Sequence, residues 1–514
     1  MQSIVEALFQ HAEAQPARPA LLFEEQTISY GQLRAEVTRF ADALARAGLR
    51  SGERVALFLG NGPAFVVAYL GIHLAGGVVV LVNTQYRQVE LNHILNDAGV
   101  RFCVTDAAGQ ELLRSVNAPG LEHLVLVDEE PRAAEAGEAG VPAVSFSAFL
   151  ASGSAQAAPA MPDGAAPALI GYTSGTTGLA KGALLLHRNL LANIQAVTTA
   201  WHWTGTDRLL LVLPLFHAHG LMVGMHGTLF TGGSALLRQK FEAQDVLATL
   251  KQDTSITLFF GVPTMYVRLL AEAERQGAPE RPLRLYVSGS APLSAQLFAN
   301  FARVFGQPIL ERYGMTETIM NLTNPYEGER RAGTVGKPFP GQEARVVDVK
   351  SRQLLSPGEI GEIEVRGPHV FAGYWQRPDA TAESFAEEGW FKTGDLGWRS
   401  EDGYYTITGR ARELIISGGY NIYPREIEDV LAQHPAVAEV AVLGQPDPEM
   451  GEKVVAAIVL KTEQSADPDE IIAFCRARLA SYKKPRHVVF VDLLPRNALG
   501  KVQKHLLAAQ LPAL

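Results

Sequence analysis

The chain has 514 residues, 47% of them hydrophobic and 19% charged, with a formal net charge of −9 at pH 7. Its length exceeds what one core serves, so about three or four compact units are expected, and its composition excludes a disordered or fibrous chain. Acidic and basic residues are mixed, with no basic stripe and no aromatic-basic platform, which argues against nucleic acid as a partner.

The N-terminus lacks a basic leader ahead of an apolar stretch, so no export signal is expected. Two cysteines, Cys103 and Cys475, allow neither a disulfide framework nor a cysteine zinc site and suit a reducing, cytoplasmic compartment. Ser29 followed by Gln32 has the form of a capping box. Behind it Leu33, Val37, Phe40 and Leu44 recur at helical spacing until Gly48, which predicts a helix. Residues 55–59 follow as a buried strand. The apolar run 64–82 is long enough to raise a membrane span, but His73 and the pair Gly76 and Gly77 interrupt it. A buried helix, a turn and a buried strand account for it better. Helix–strand alternation through Leu126 predicts parallel sheets with helices on their faces. The Glu/Ala/Gly/Pro/Ser-rich stretch 129–166, broken only by 144–150, reads as a surface excursion.

Residues 172–182 carry the most information. Thr173, Ser174, Gly175, Thr176, Thr177 and Gly178 precede Lys181 and Gly182, directly after an apolar run. Glycines let consecutive N–H groups converge on an anion, hydroxyls add donors, and one lysine adds a point charge suited to phosphate. The spacing is not that of a Walker A loop, which needs Gly-Lys-Ser/Thr. A phosphate-embracing loop is expected, against the plain alternative of a polar connection.

Strand-helix alternation resumes with strands at 208–213, 256–260 and 283–288. From about 333 to 405 short β segments with Gly/Pro turns predict a small barrel or meander. After Gly409 the texture changes again. Pro424 opens an amphipathic helix, followed by strands at 437–443 and 454–460, a helix at 467–479 and a strand at 487–491. The expected architecture is an α/β body of parallel sheets with a small β-barrel over 1–409, and a small mobile α+β lid over 410–514. No carrier domain is expected after Leu514.

Five further clusters accompany the loop. Ser288, Gly289, Ser290, Ala291 and Pro292 form a strand end running into a small-residue turn, where a flat group can lie against the backbone. Tyr313, Gly314, Met315, Thr316 and Glu317 join an aromatic face, a hydroxyl and a carboxylate able to hold Mg²⁺. Asp395 behind Gly394 suits the paired hydroxyls of a ribose. Arg410 and Arg412 offer guanidinium groups at the domain junction, and Lys501 follows Gly500 near the C-terminus. Each alone reads equally as a solvated acid, a turn cap or a surface cation.

In this order the clusters resemble the acyl-adenylate-forming superfamily of acyl-CoA synthetases, peptide-synthetase adenylation domains and firefly-type luciferases, over about residues 165–505. The resemblance implies a two-step reaction with ATP, Mg²⁺ and coenzyme A: a carboxylate displaces pyrophosphate from ATP, and a thiol then displaces AMP. It implies that Thr173 to Lys181 embrace the pyrophosphate side, that Gly289 to Pro292 and Tyr313 to Met315 seat the adenine, and that Thr316 contacts phosphate. It further implies that Glu317 supports Mg²⁺, that Asp395 and Arg410 reach the ribose, and that Lys501, with Glu317 and Thr176, makes up the catalytic set. The lid of relatives rotates about the position of Arg412, often Asp or Lys there, and brings Gly418 and Gly419 toward the thiol.

For the acid, the polar stretch containing His217, His219 and Gly220, together with the run from Met315 to Tyr326, is similar to malonyl-CoA synthetases. Arg284, expected on a central strand on the face of Tyr286 and Ser288, must be paired. Malonate, with methylmalonate beside it, is therefore the expected acid, its free carboxylate taken by Arg284 and His217, with Ser288 and Met315 in the same pocket. A structural ion pair at Arg284 stays open, as do a short monocarboxylate, an aryl acid, a carrier protein as acceptor, an inactive nucleotide sensor and a luciferase-like use of the adenylate. A zinc-like site at His217, His219 and His226 is the weaker alternative, lacking a carboxylate or thiol at ligand spacing.

Overall fold

Ser29 caps its helix from both sides: its Oγ accepts from the Gln32 N–H at 3.2 Å, and Gln32 Oε1 accepts from the Ser29 N–H at 2.8 Å. The helix Tyr30–Arg46 then buries Leu33, Val37, Phe40 and Leu44. The apolar run resolves into the helix Pro63–Leu74 and the strand Val78–Leu81, turned at Gly76 with φ +77°. These two helices pack so closely that a Cβ on Gly71 would lie 2.7 Å from Phe40. Among the described residues no helix is long and apolar enough to cross a membrane. The computed structural model describes residues 1–127, 141–173, 180–418, 420–497 and 500–511.

Two large sheets make up the body. One has eight strands, in the order Gly373–Tyr374, Lys181–Leu186, Pro167–Thr173, Val78–Leu81, Arg54–Phe58, Val100–Thr105, His123–Leu126 and Ala143–Ser145. It is parallel except at its first two junctions. The other has nine strands, with a parallel centre formed by Leu310–Tyr313, Leu285–Ser288, Leu258–Gly261, Arg208–Leu211, Ser234–Leu237 and Pro19–Phe23. One apolar core lies between them, taking Val55, Leu57 and Val79 from the first and Leu209, Leu258, Leu285 and Val287 from the second. In such sheets the site belongs at the carboxyl ends of the parallel strands.

The stretch expected as a surface excursion is more than that. Ala143–Ser145 extends the eight-stranded sheet, and of the next helix Phe146 stacks on Phe40 while Phe149 meets it edge-on. The expected barrel is an antiparallel meander of Glu343–Val347, Gly361–Arg366, Phe391–Arg399 and Tyr405–Arg410. Beyond it the helix Pro424–Leu431 buries Ile427 and Leu431 against a sheet built on Val437–Asp447 and Gly451–Leu460, with His487–Phe490 parallel to the latter. This C-terminal unit reaches the body through Gly500, where a Cβ would lie 2.9 Å from Thr264 Oγ1.

Candidate active site

Thr173 ends one strand and Lys181 begins its antiparallel neighbour directly opposite. Ser174, Gly175, Thr176, Thr177 and Gly178 lie outside the described residues. The edge strand Gly373–Tyr374 pairs with the strand Lys181–Leu186 and brings in a side chain that the sequence did not announce. Lys181 Nζ stands 5.3 Å from the centre of the Tyr374 ring, and the Tyr374 hydroxyl donates to Glu317 Oε1 at 3.0 Å. Thr173 donates to the same oxygen at 3.4 Å. Loop stem and acid thus share one corner. Only the register of Tyr374 with Ala183 reveals this, and no local motif encodes it.

Burial pushes the Glu317 carboxyl above its ordinary value, and its hydroxyl partners and the field of Arg410 oppose this only in part. A buried acid short of positive charge fits a divalent cation. Glu317, with Thr173 beside it, is the group that would hold Mg²⁺, which supplies charge neutralisation on phosphate oxygens when bound.

The residues expected to seat the nucleotide stand at two strand ends. Leu285–Ser288 runs out into Gly289, Ser290, Ala291 and Pro292, with Ser290 in the left-handed region at φ +68°. Leu310–Tyr313 runs out into Gly314, where a Cβ would overlap the carbonyl oxygen of Ile319. Thr316 follows with its methyl against Gly171, at 2.6 Å from a notional Cβ there. The half-buried Met315 places its sulfur 3.9 Å from the Tyr313 hydroxyl. That hydroxyl donates to Asp395 Oδ2, and Arg410 Nε lies 3.2 Å from Asp395 Oδ1, as the pairing of Asp395 with Arg410 requires.

Lys501 joins the same corner from the lid. Its backbone N–H donates to Asn497 Oδ1 at 2.9 Å, and Gly500 turns the chain at φ +74°. Burial, then the charge of Arg410, draws the Lys501 ammonium down to about 8, with Asp395 and Glu413 pulling the other way. Arg412 sits exposed in the turn Ala411–Glu413, its charge disfavoured by partial desolvation and by Arg410. Gly418, at φ +57°, turns the lid hairpin where a Cβ would overlap the Met450 methyl; Gly419 lies outside the described residues.

The acid pocket departs from expectation. Arg284 precedes the strand rather than standing on it, at the amino end of a sheet whose site is at the carboxyl end. Its Nε and Nη2 meet Asp207 at 2.8 and 3.0 Å, and its Nη1 donates to the Trp201 carbonyl at 2.8 Å. It is held as an ion pair within the protein, with its donors already engaged. Ser288 shares the face of Tyr286, which packs on Phe259, Phe301 and Phe305, away from Leu285 and Val287.

His217 is half-buried, its Nε2 is buried without a partner among the described residues, and burial draws it down to about 4. His219, stacked over Phe260 at 6.0 Å, is likewise held neutral by burial and by the charge of Arg312. Among the described residues no cluster of His, Cys, Asp and Glu could hold a metal ion.

Arg312 is the cation that the sequence reading passed over. It is 3% exposed, its guanidinium lies where a Gly289 Cβ would be, and its Nε and Nη2 find no partner among the described residues. Burial alone works strongly against its charge, yet a guanidinium stays protonated in proteins. Its flanks, Glu311 and Tyr313 inside a recognisable motif, were the available signal.

The sequence matches the AMP-binding enzyme family over residues 8–375 and the AMP-binding enzyme C-terminal domain over 426–501. Sulfoacetate–CoA ligase of Cupriavidus necator is 38% identical, over 95% of this chain and 94% of that protein. Malonate–CoA ligase of Arabidopsis thaliana is 33% identical, over 98% and 88%. A long-chain-fatty-acid–CoA ligase of Bacillus subtilis is also 33% identical, over 95% and 90%. Among solved structures, ATP-bound MatB from Rhodopseudomonas palustris superposes with a TM-score of 0.88 at 37% identity, covering 98% of both chains.

Proposed function

From the premise that this chain belongs to the AMP-binding enzyme family and is an ATP-dependent acyl-CoA ligase, we propose that its acid is short and carries a second anionic group, malonate foremost. One observation carries this: a buried guanidinium, Arg312, with two donors unpartnered among the described residues, whose charge reaches the neutral His219. A buried charge without a partner is costly, and a ligand carboxylate supplies the partner in bidentate form. Neutral His217 and His219 can add donors, while Met315 closes the side toward the nucleotide. Malonate and sulfoacetate, the acids in two relatives' names, both fit a site with one cation for a second anion. The fatty acid of the third does not.

In this reading the acid's reacting carboxylate oxygen attacks the α-phosphorus of ATP, and the bond from that phosphorus to the pyrophosphate oxygen breaks. Lys501 supplies positive charge where the attacking oxygen meets the phosphate, and Lys181 faces the departing pyrophosphate. Asp395 and Tyr313 hold the ribose and base. The CoA thiolate then attacks the acyl carbon, and the carbon–oxygen bond to AMP breaks. The lid must turn between the two steps, since Lys501 and the Gly418 hairpin serve different ones.

The test is pyrophosphate exchange over malonate, methylmalonate, sulfoacetate, propionate, octanoate and benzoate. Malonate or sulfoacetate should lead by about two decades over propionate, the worth of a desolvated charge pair. Arg312→Met should erase that lead while leaving residual propionate turnover. Octanoate or benzoate outrunning both dianions would end the proposal.

A further inference from the structure

The strand Phe391–Arg399 does not pair evenly with Gly361–Arg366. Lys392 lies opposite Glu364 and Leu396 opposite Glu362, so Thr393, Gly394 and Asp395 together span the place of Ile363. A bulge of this kind redirects a side chain, here that of Asp395, and takes backbone groups out of the ladder. Buried N–H groups left that way need other partners. Side chains supply them. The Thr393 hydroxyl donates to the Ile363 carbonyl at 2.7 Å and accepts from the Asp395 N–H at 3.1 Å. Gly394, at φ +70°, donates its N–H to Glu362 Oε1 at 3.0 Å.

Glu362 is itself held. Its other oxygen takes Nη1 of Arg352, whose Nη2 reaches the fully buried Glu364. Arg345 completes the row on Glu364 at 2.7 Å. Arg352 thus ties Glu362 to Glu364 of the same strand, and the other oxygen of Glu362 meets a single backbone N–H next to Asp395. Packing alone does not call for an acid at that position. A fixed bulge does.

We propose that Glu362, anchored by Arg352, is a positioning residue that fixes the 393–395 bulge so that the Asp395 carboxylate faces the paired hydroxyls of the nucleotide's ribose. The inference rests on the ribose role of Asp395, and its test separates the two. The full-length enzyme is assayed for adenylate formation with ATP and with 2′-deoxy-ATP, and the ratio of kcat/KM values is taken. Both values come from one preparation, so any unfolded fraction cancels. Asp395→Asn should bring the ratio close to one. Glu362→Leu, which removes the acceptor at similar volume, should lower the ratio by on the order of tenfold, whereas Glu362→Gln, which keeps an acceptor, should retain most of it. Should Glu362→Leu fail to fold, Thr393→Val carries the same expectation, because it removes both remaining bulge bonds. A normal ratio in Glu362→Leu, or in Thr393→Val standing in for it, alongside a collapsed one in Asp395→Asn overturns the positioning role and leaves the ribose role standing. A normal ratio in Asp395→Asn removes both.

Discussion

In the proposed mechanism the first chemical step turns on Lys501, and the environment of that residue gives the step a pH signature. Burial disfavours the ammonium and draws its pKa to about 8, while the transition state needs the charged form. The proton is therefore in place below about pH 8 and lost above it, so kcat/KM for adenylate formation should descend above that value. Lys501→Arg should move the descent beyond the accessible range, since a guanidinium does not titrate there. Lys501→Ala should lower adenylate synthesis by about two to three decades, the usual cost of removing one preorganised electrostatic donor. Thioester formation from pre-made acyl-AMP should survive. A second residue separates structure from recognition. Arg284→Ala strands Asp207, which is 3% exposed, and should cost about 3 kcal/mol, the lower end for a broken buried pair because the arginine is half-buried. Thermal or urea unfolding would register the loss, with the order of preferred acids unchanged. A changed order would return Arg284 to the pocket.

Elements explain why some of this was legible beforehand. Capping at Ser29, the turn at Gly76 and the strand at 55–59 follow from local spacing, and the structure has them within a residue or two. The error at Arg284 came from one such margin: a strand expected from 283 begins at Leu285, and period-two alternation cannot say which end of a strand meets the site. Tyr374 and Arg312 were missed for another reason. Each acquires its place from partners distant in sequence, Glu317 for one and Gly289 for the other, and pattern carries no such distance. Glycines were legible as chemistry but not as geometry. At Gly314 the absence of a side chain lets the turn toward Glu317 pass under the Ile319 carbonyl, while Ile319 itself holds a left-handed φ of +59°, strain of the kind kept at functional turns. Gly314→Ala must shift that turn and Glu317 with it. The expected result is about a hundredfold loss in pyrophosphate exchange and a lower Tm. Wild-type exchange would show that the turn tolerates the displacement.

At the scale of the molecule, one orientation of the lid is on view, and it is the one that delivers Lys501 to Asp395 and Arg410. Gly500 rests on Thr264, and Arg425 and Asp429 of the lid helix exert their charges on Glu311 of the body, a buried acid that burial raises to about 8. The Gly418 hairpin, by contrast, lies against Met450 and the strand Gly451–Leu460 of the same domain. In the proposed mechanism the two half-reactions draw on two surfaces of this one small domain. A side chain at 418 faces a double obstacle: φ +57° is unfavourable for a β-branched residue, and the Met450 methyl already fills the space. Gly418→Val should disturb that hairpin without touching Lys501. Adenylate formation should stay within a few-fold of wild type, and transfer of the acyl group from pre-made acyl-AMP to CoA should fall by about two decades. That outcome is the mirror image of Lys501→Ala, and the pair of variants together tests a rotating lid more sharply than either alone. If Gly418→Val slows both half-reactions equally, the hairpin acts through lid stability, and the two surfaces are not divided between the steps.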